Sequence, residues 1–395
     1  MPKIKNIQGD PLHLRVISLL LLIGLLIFIS LGPKLQAQDN TPIKIGLNVE
    51  LTGLAADLGD LSKKAADLAV EEINAAGGIN GRPIDLIAED SQSSNQGAVA
   101  ATNKLINSHK VVAMVGPVKS TQMQAVSDIV KKAHLPTMYG GTNPKLTRID
   151  NKVVNPWVFR CRPADSIAGV AVARFIIEDL KINKVGILHD SDTFGTTGAG
   201  IVRDTLKKLG AEPVLIEKYA TGTENYQPQL LNMKAAGAEA LVIYGTNAND
   251  DAKILRQIKE LGLDFKVVGS PSNAQKITLD LAKEAAEGIY AVVDYVPGQS
   301  EVAKRYREAY VKKYGSEPDT LAAWNYDALY ILAEAMKKAG TDPEKIREAI
   351  LATKGFKGVL GEFNFDEFGD GLHEVSMIQI KNGQPSLLRI VKESE

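Results

Sequence analysis

Two short polar segments, each placed after a predicted strand, carry residue types suited to binding a small carboxylate. The first reads Gly-Pro-Val-Lys-Ser-Thr over residues 116–121, after a strand predicted at 111–115. A helix predicted at Ser120–Lys132 begins inside it. A helix N-terminus presents unpaired N–H groups and a positive dipole, and the Ser120 hydroxyl adds a donor. That hydroxyl could equally cap the helix, so the sequence leaves both roles open.

The second segment reads Tyr-Gly-Gly-Thr-Asn-Pro-Lys-Leu-Thr over residues 139–147 and follows a strand predicted at 135–138. Gly140 and Gly141 would let a ligand approach main-chain groups closely. The Thr142 hydroxyl can both donate and accept a hydrogen bond. An ordinary loop is the alternative interpretation.

The sequence lacks the common catalytic signatures. It contains no GxxxxGKS/T phosphate loop, no GxGxxG fingerprint, no GxSxG elbow and no HExxH zinc helix. Its five histidines are scattered, so we expect no metal, no cofactor and no Ser/His/Asp triad. His189 and Asp190 could pair a base with its orienting acid, but a polar strand end bonded to the neighbouring loop is the favoured interpretation. We therefore expect a binding protein rather than an enzyme.

The rhythm of the sequence predicts the scaffold that positions these segments. Short β-branched runs alternate with helical periods from residue 43 onward, which indicates α/β architecture with parallel sheets and crossover helices. We predict strands at 43–48, 84–90, 111–115 and 135–138, and then at 184–189, 214–219, 240–244, 265–269 and 289–293. The helices between them are predicted at 58–76, 94–107, 120–132, 167–178, 198–209, 227–236 and 250–261.

After residue 294 the pattern changes. We predict helices at 301–314, 321–339 and 343–352, a strand at 361–365, and a hairpin of strands 375–380 and 387–391 that turns at Asn382-Gly383. These elements are too few for a third domain, so they must complete two sheets already begun. The chain then crosses more than once between two lobes, with a cleft between them. Ligands of doubly wound sheets bind beyond the carboxyl ends of strands, where both polar segments lie.

Composition and charge exclude several classes of protein. The 395 residues are 45% apolar and 24% charged, which is typical of a globular chain long enough for two domains. The net charge is −1, and it becomes −4 when the four basic residues and one acid of residues 1–37 are set aside. A mildly acidic body without a clustered basic patch argues against a nucleic-acid partner. The only cysteine, Cys161, is predicted to be a small buried residue.

Residues 1–37 have the order of a secretory signal peptide. Basic residues precede an apolar run at 16–29, which is followed by the breakers Gly32 and Pro33 and the small residue Ala37. We expect export to the periplasm or cell envelope, with cleavage near Ala37. The run is shorter than the ~20 residues of a membrane-spanning helix, although an extension to residue 31 keeps an uncleaved anchor as the alternative.

An ordered series of motifs resembles the leucine/isoleucine/valine-binding family of periplasmic solute-binding proteins. The motifs are EEINAAGGINGRPIDLIAEDS at 71–91, RCRPAD at 160–165, HDSDTFG at 189–195 and AAWNYDALYIL at 322–332, together with residues 116–121 and 140–147. The resemblance covers nearly all of the chain after Thr41. It implies a type I periplasmic-binding fold, with two doubly wound α/β lobes joined by a three-segment hinge. It also implies that the protein delivers its ligand to an ABC importer. Lobe 1 would comprise residues 42–163 and 294–370, and lobe 2 residues 164–293 and 371–395.

The resemblance also implies where the ligand binds. The ligand carboxylate would meet the positions matching Ser120 and Thr142, and the carbonyl matching Gly140 would receive an ammonium group together with an acid of lobe 2. Asp165 matches an acid near the hinge, and the aromatic matching Phe194 closes from lobe 2. The turn at 245–250 offers the side-chain amide of Asn247. The predicted ligand-binding residues are therefore Ser120, Thr121, Gly140, Gly141, Thr142, Asp165, Phe194 and Asn247.

The chain departs from this family where an amino-acid binder places its ammonium-binding glutamate. The segment Gly-Ser-Pro-Ser-Asn at 269–273 holds no acid. Because a buried ammonium without a counter-charge is costly, either Asp165, Asp250 or Asp294 substitutes, or the ligand has no amine. Arg162 could add a second carboxylate contact, but an outward surface arginine is the favoured interpretation.

Two smaller expectations concern the walls of the cleft. Leu58 makes the wall apolar where some relatives place an aromatic residue over the ligand. In the turn at 245–250, we assign the helix cap to Asn249 and leave Asn247 for the ligand.

Several functional alternatives remain open at this point. The ligand is an aliphatic amino acid, an amide or urea-like solute, or an amine-free or aromatic carboxylate. The leading function is solute capture by a monomer that docks on the membrane permease of an ABC importer. A ligand-sensing module of a receptor and an enzyme using His189 and Asp190 are the alternatives.

Overall fold

Strands and helices alternate from Ile43 to Lys392 in the computed structural model, which describes residue 2 and residues 40–394. The strands are β1 Ile43–Val49, β2 Ile84–Asp90, β3 Ala113–Val115, β4 Thr137–Tyr139, β5 Arg148–Ile149, β6 Lys152–Val153, β7 Val158–Arg160, β8 Val185–Asp190, β9 Leu215–Tyr219, β10 Ala240–Tyr244, β11 Lys266–Gly269, β12 Tyr290–Val293, β13 Phe356–Lys357, β14 Glu362–Phe363, β15 Glu374–Lys381 and β16 Gln384–Lys392. The α-helices are α1 Ala56–Ala75, α2 Asn95–Lys104, α3 Ser120–Lys132, α4 Asp165–Arg174, α5 Thr193–Lys208, α6 Gln227–Ala235, α7 Ala248–Glu260, α8 Lys276–Ala282, α9 Glu301–Tyr314, α10 Trp324–Ala339 and α11 Pro343–Leu351.

Two main sheets share one strand order. The first has five parallel strands in the order β2-β1-β3-β4-β7. The second has seven, in the order β16-β15-β12-β11-β10-β8-β9. Counted along the chain within each sheet, the parallel strands follow the order second, first, third, fourth, fifth, which is the doubly wound α/β arrangement. We call the first sheet and the helices packed on it lobe 1, and the second sheet with its helices lobe 2.

Several strands are buried along their whole length. Every side chain of β3, β4, β7 and β10 is buried, because helices cover both faces of a parallel sheet. The covering helices present an apolar stripe. In α7 the buried residues Ile254, Leu255 and Ile258 share one face with the buried acid Asp251.

The core of lobe 1 is assembled from two separate stretches of sequence. It joins Ile45 and Phe159 to Trp324 on α10. Leu372 still lies in this core, whereas Val375 lies in a core of lobe 2. We propose lobe boundaries after residues 163, 293 and 370, although Leu372, in the core of lobe 1, lies two residues beyond the last of these.

The C-terminal hairpin extends the sheet of lobe 2. Strand β15 pairs antiparallel with β12 on one side and with β16 on the other. The turn between β15 and β16 has positive φ at Asn382 and Gly383, 52° and 70°, as a two-residue hairpin turn requires. The hairpin predicted from the Asn-Gly pair is confirmed.

Some elements differ from the sequence predictions. Strand β7 was not predicted, because three residues between Pro156 and Pro163 give no periodic pattern. Helix α8 was also missed. Helix α5 begins at Thr193 rather than at residue 198, and α7 begins at Ala248 rather than at residue 250. In both helices the first turn holds few apolar residues, so a hydrophobic pattern does not show where the helix starts.

The export signal predicted at residues 1–37 lies outside the described residues. Over residues 40–394, no helix combines the length and the apolarity needed to cross a membrane. No group of three or more His, Cys, Asp or Glu side chains within this range is placed to hold a metal ion. Cys161 is fully buried, as predicted, and burial raises the pKa of its thiol.

Two glycines on α5 test how tightly this helix packs on lobe 2. A Cβ on Gly198 would overlap the Tyr244 ring, whereas a Cβ on Gly200 would meet nothing within 4 Å. We expect Gly198→Ala to lower the free energy of unfolding by about 1–3 kcal/mol. The matched variant Gly200→Ala should raise it by about 0.5–1 kcal/mol. Urea titrations measure both, and equal effects of the two variants would contradict this packing.

Candidate functional site

A cavity lies between the lobes, at the carboxyl ends of their strands. Its lining combines hydroxyl, cationic and apolar side chains: Leu58, Val118, Lys119, Ser120, Thr142, Arg162, Phe194, Gly245, Thr246, Ser272 and Leu321. Residues 118–120 follow β3 and residues 245–246 follow β10. In each lobe the first strand lies between the second and third, so ligands are expected beside these strand ends.

Ser120 holds the two polar segments of lobe 1 together. Its Oγ accepts hydrogen bonds from the backbone N–H groups of Thr142 and Asn143, both at 3.2 Å. These bonds use both acceptor positions of the hydroxyl, so its hydrogen remains for a further acceptor. Ser120 does not cap the helix. The N-cap position belongs to Lys119, whose side chain makes no capping hydrogen bond.

A chain of hydrogen bonds runs behind Thr142 from lobe 1 to lobe 2. Thr142 Oγ1 donates to Asp165 Oδ2 at 3.0 Å, and Tyr244 Oη donates to Asp165 Oδ1 at 2.8 Å. Asp165 is 1% exposed and does not line the cavity. It therefore supports Thr142 from behind.

Arg160 fixes the loop that carries Thr142. It is fully buried, and its Nε donates to Asp370 Oδ1 at 2.8 Å. Its Nη atoms donate to the carbonyls of Gly141 and Asn143 and to Thr147 Oγ1. The two Nη atoms thus hold three points of residues 141–147, while Nε pairs with Asp370.

The two glycines of this loop are needed for packing. A Cβ on Gly140 would lie 2.7 Å from the Trp324 ring. A Cβ on Gly141 would lie 3.1 Å from the Cα of Ser120. Neither glycine lines the cavity. Close packing of the protein on itself thus requires glycine at both positions, and their predicted role in the approach of a ligand stays a prediction.

Arg162 lies inside the protein, and the expectation of an outward surface arginine is wrong. It is 4% exposed and lines the cavity. Its Nε and Nη2 donate to Asp294 at 2.5 and 3.3 Å, and its Nη1 donates to the Gly140 carbonyl at 3.0 Å. Desolvation of a guanidinium is tolerated because a carboxylate of similar burial, 4% exposed, pairs with it.

Lobe 2 supplies an aromatic wall and a hydroxyl. Phe194 lines the cavity, and its ring lies 5.0 Å from the Tyr244 ring, centroid to centroid. The Thr246 N–H donates to Asp190 Oδ2 at 2.6 Å. Thr246 lines the cavity, and its hydroxyl lies beside the same carboxylate.

Asn247 caps α7 and connects the lobes. Its Oδ1 accepts from the backbone N–H groups of Asn249 and Asp250. Its Nδ2 donates to the Leu54 carbonyl of lobe 1 at 3.1 Å. The cap assigned to Asn249 was therefore wrong. Asn247 is engaged on both sides and does not line the cavity.

None of the three acids considered as ammonium partners lines the cavity. Asp165 accepts from Thr142 and Tyr244. Asp250 accepts from the Gly222 N–H at 2.9 Å, and Asp294 pairs with Arg162. In the segment at 269–273, Ser272 lines the cavity, and its hydroxyl contacts the Gly245 carbonyl at 2.6 Å and the Asp251 carboxylate.

His189 and Asp190 do not form an acid–base pair. The Nδ1 of His189 contacts the backbone carbonyl of Asp190 at 2.6 Å, not its carboxylate. The Asp190 carboxylate accepts from the N–H groups of Asp192 and Thr246. The interpretation of a polar strand end bonded to the neighbouring loops is confirmed.

The structure brings some of the predicted site residues to one cavity and separates others. Ser120, Thr142 and Phe194 line it, and so does the predicted apolar wall residue Leu58. The rest lie behind the lining or to one side: Thr121, Gly140, Gly141, Asp165 and Asn247. As ligand contacts, all eight residues stay predictions. Lining residues that the sequence reasoning missed are Val118, Lys119, Gly245, Thr246, Ser272 and Leu321. Their position just after strands, or beside a helix start, was the only available signal.

Asp165 makes stability depend on pH. Its pKa in the folded protein is raised from 3.8 to about 6 by burial, against the hydrogen bonds from Tyr244 and Thr142 and the charges of Arg160 and Arg162. The folded state holds this proton more tightly than the unfolded chain. The protonated Asp165 therefore contributes fully to the free energy of unfolding below pH 4, and this contribution is lost as pH rises through 6. Between pH 4 and 6, the free energy of unfolding should therefore fall by about 1–3 kcal/mol less in Asp165→Asn than in the wild type. Urea titrations at a series of pH values compare the two proteins, and parallel curves would contradict the assignment.

The sequence matches the family model of periplasmic binding proteins over residues 42–385. It is 30% identical over 330 residues to the leucine-, isoleucine-, valine-, threonine- and alanine-binding protein of Pseudomonas aeruginosa, with 83% of this chain and 87% of that protein covered.

Solved structures agree with this match. The branched-chain amino acid transporter substrate-binding protein LivJ from Streptococcus pneumoniae, in complex with isoleucine, superposes with a TM-score of 0.83 at 31% identity, covering 89% of this chain and 99% of that one. A solute-binding protein of an ABC transporter from R. palustris, in complex with benzoate, has a TM-score of 0.82 at 21% identity, covering 89% and 96%. The second likeness shows the fold alone. The predicted fold class is confirmed.

Proposed function

This chain belongs to the periplasmic binding protein family, and from that premise we propose that it captures a small carboxylate solute between its lobes for an ABC importer. The Ser120 hydroxyl is the observation that carries this proposal. Its two acceptor positions are used by backbone N–H groups, so its hydrogen is available for a ligand oxygen. The open N-terminus of α3 adds N–H donors and a positive dipole at the same point.

Each lobe supplies part of the site. Lobe 1 offers the Ser120 hydroxyl and the N-terminus of α3 for the carboxylate, and lobe 2 offers the ring of Phe194 for the body of the ligand. Contacts from both lobes form together only when the cleft is closed. A ligand therefore shifts the population toward the closed form, in which Asn247 reaches the Leu54 carbonyl.

Delivery is the second part of the proposal. The closed form would dock on the membrane permease of the importer and release the solute there. The relatives in P. aeruginosa and S. pneumoniae are named as amino-acid binders, and the latter as part of a branched-chain amino acid transporter. The basic and apolar order of residues 1–37 supports export to the periplasm or cell envelope.

A thermal-shift screen tests the capture of a carboxylate. The panel contains aliphatic and aromatic carboxylates, amino acids, amides and urea. A ligand that binds only the folded protein raises its melting temperature by mass action. We expect at least one carboxylate to do so. A panel in which only uncharged amides or urea stabilise the protein would overturn the proposal.

Phe194 should contribute to binding without being required for folding. We expect Phe194→Ala to weaken the ligand found in the screen by about tenfold, because the truncation removes apolar contact area from lobe 2. Calorimetric titration measures the affinity, and thermal unfolding without ligand controls for the fold. Unchanged affinity would remove Phe194 from the site.

A further inference from the structure

We infer that the ligand of this cavity is an organic acid without an ammonium group, because two cationic side chains and no carboxylate are among the described residues that line it. The inference rests on the proposed function and narrows its substrate class. It excludes α-amino acids as the preferred solutes of this protein.

The position of Arg162 is the first step. Its Nη1 donates to the Gly140 carbonyl at 3.0 Å, so this main-chain acceptor beside the cavity already binds a cation. An ammonium sharing that oxygen would lie within a few ångströms of the guanidinium. Two like charges at such a distance in a buried site repel strongly.

The carboxylates near the cavity are the second step. Asp294 is held by two donors of Arg162. Asp165 accepts from Thr142 and Tyr244 behind the cavity wall. Glu50 is 1% exposed and faces the charge of Lys119. Among the described lining residues there is no Asp or Glu, whereas Lys119 and Arg162 both reach the cavity.

Neutral acceptors do not replace the missing charge. Thr142 Oγ1 uses its hydrogen on Asp165 and could accept one N–H. The Ser272 hydroxyl is occupied by the Gly245 carbonyl and by the carboxylate of Asp251, a fully buried acid that does not line the cavity. A single hydroxyl contact leaves a buried ammonium without a counter-charge, which is strongly unfavourable.

The remaining features suit an amine-free acid. The Ser120 hydroxyl and the N–H groups at the N-terminus of α3 can donate hydrogen bonds to the ligand carboxylate. The body of the ligand meets the apolar residues Leu58, Phe194 and Leu321. A small aliphatic or aromatic monocarboxylate fits this combination of one anionic end and an apolar remainder.

Matched pairs of ligands test the inference on the full-length wild-type protein. Each pair differs only by the α-amine: leucine and 4-methylpentanoate, isoleucine and 3-methylpentanoate, phenylalanine and 3-phenylpropanoate. We expect the amine-free member of at least one pair to bind, and its amino acid to bind about 100-fold more weakly or worse. Calorimetric titration at pH 7 gives both affinities.

Variants of Arg162 then test its role. Arg162→Ala frees the Gly140 carbonyl and the Asp294 carboxylate, so the preference should move toward the amino acid by at least about tenfold. Arg162→Ala leaves the buried Asp294 carboxylate unpaired, which could destabilise the fold. The neutral double variant Arg162→Ala/Asp294→Asn is therefore tested as well. It should lose the discrimination against amino acids but gain less affinity for them. Arg203→Ala, which removes an exposed guanidinium on α5, should leave the preference unchanged.

The outcomes separate this inference from the proposed function. Tighter binding of the amino acids by the wild-type protein would overturn the inference and leave carboxylate capture standing. An unchanged preference in both Arg162 variants would overturn it as well. Failure of every carboxylate, with or without an amine, would overturn the proposed function and the inference together.

Discussion

Replacing Arg160 by methionine is expected to lower the free energy of unfolding by about 3–5 kcal/mol. The guanidinium is fully buried and bonds to four groups: the Asp370 carboxylate, the carbonyls of Gly141 and Asn143, and Thr147 Oγ1. Removing it leaves Asp370 as a buried charge without its cation. Chemical denaturation of the ligand-free protein measures the change.

A double variant separates the lost ion pair from lost packing. Arg160→Met/Asp370→Asn removes both charges, so it should be more stable than Arg160→Met alone by at least about 1 kcal/mol. The single variant should also bind ligand more weakly, because the loop that carries Thr142 loses its support. A stability of Arg160→Met within about 1 kcal/mol of the wild type would contradict this role.

Removing the Ser120 hydroxyl is expected to reduce affinity for the carboxylate ligand by about 100-fold. Two effects add here. The ligand loses a direct donor, and the N–H groups of Thr142 and Asn143 lose their acceptor, which loosens the loop beside the ligand. Calorimetric titration of Ser120→Ala measures the loss.

The matched control lies on the same helix. Gln124 is exposed on α3, away from its N-terminus, so Gln124→Ala should bind as the wild type does. Thermal unfolding of Ser120→Ala without ligand shows how much of the loss comes from the loop. An affinity of Ser120→Ala within about threefold of the wild type would remove Ser120 from the binding site.

The order of strands and helices could be predicted because each carries its own pattern. Strand β10 is a continuous apolar run, and the period of α3 marks its start at Ser120 and its end at Lys132. Strand β7 could not be predicted, since three residues carry too little pattern. Its place is fixed by pairing with β4 and by the bond from the Arg160 N–H to the Gly369 carbonyl, which no local signal shows.

The sequence predicted which chain segments lie at the candidate site, but not which charged side chains are paired there. Ser120 and Thr142 could be placed because both follow strand ends. The burial of Arg162 depends on Asp294, 132 residues further along the chain, and a single sequence does not reveal that pairing. Sequence reasoning therefore assigned Arg162 to the surface, where an unpaired arginine belongs. The same pairing removed Asp294 from the candidates for an ammonium partner.

A crystal structure of the protein with the carboxylate that stabilises it most is the most direct test of ligand capture. Our account predicts density in the cavity between Ser120 and Phe194, with a carboxylate oxygen within hydrogen-bond distance of Ser120 Oγ and the first N–H groups of α3. A ligand bound outside this cavity would contradict the account, and so would one whose carboxylate points toward Phe194 and away from α3.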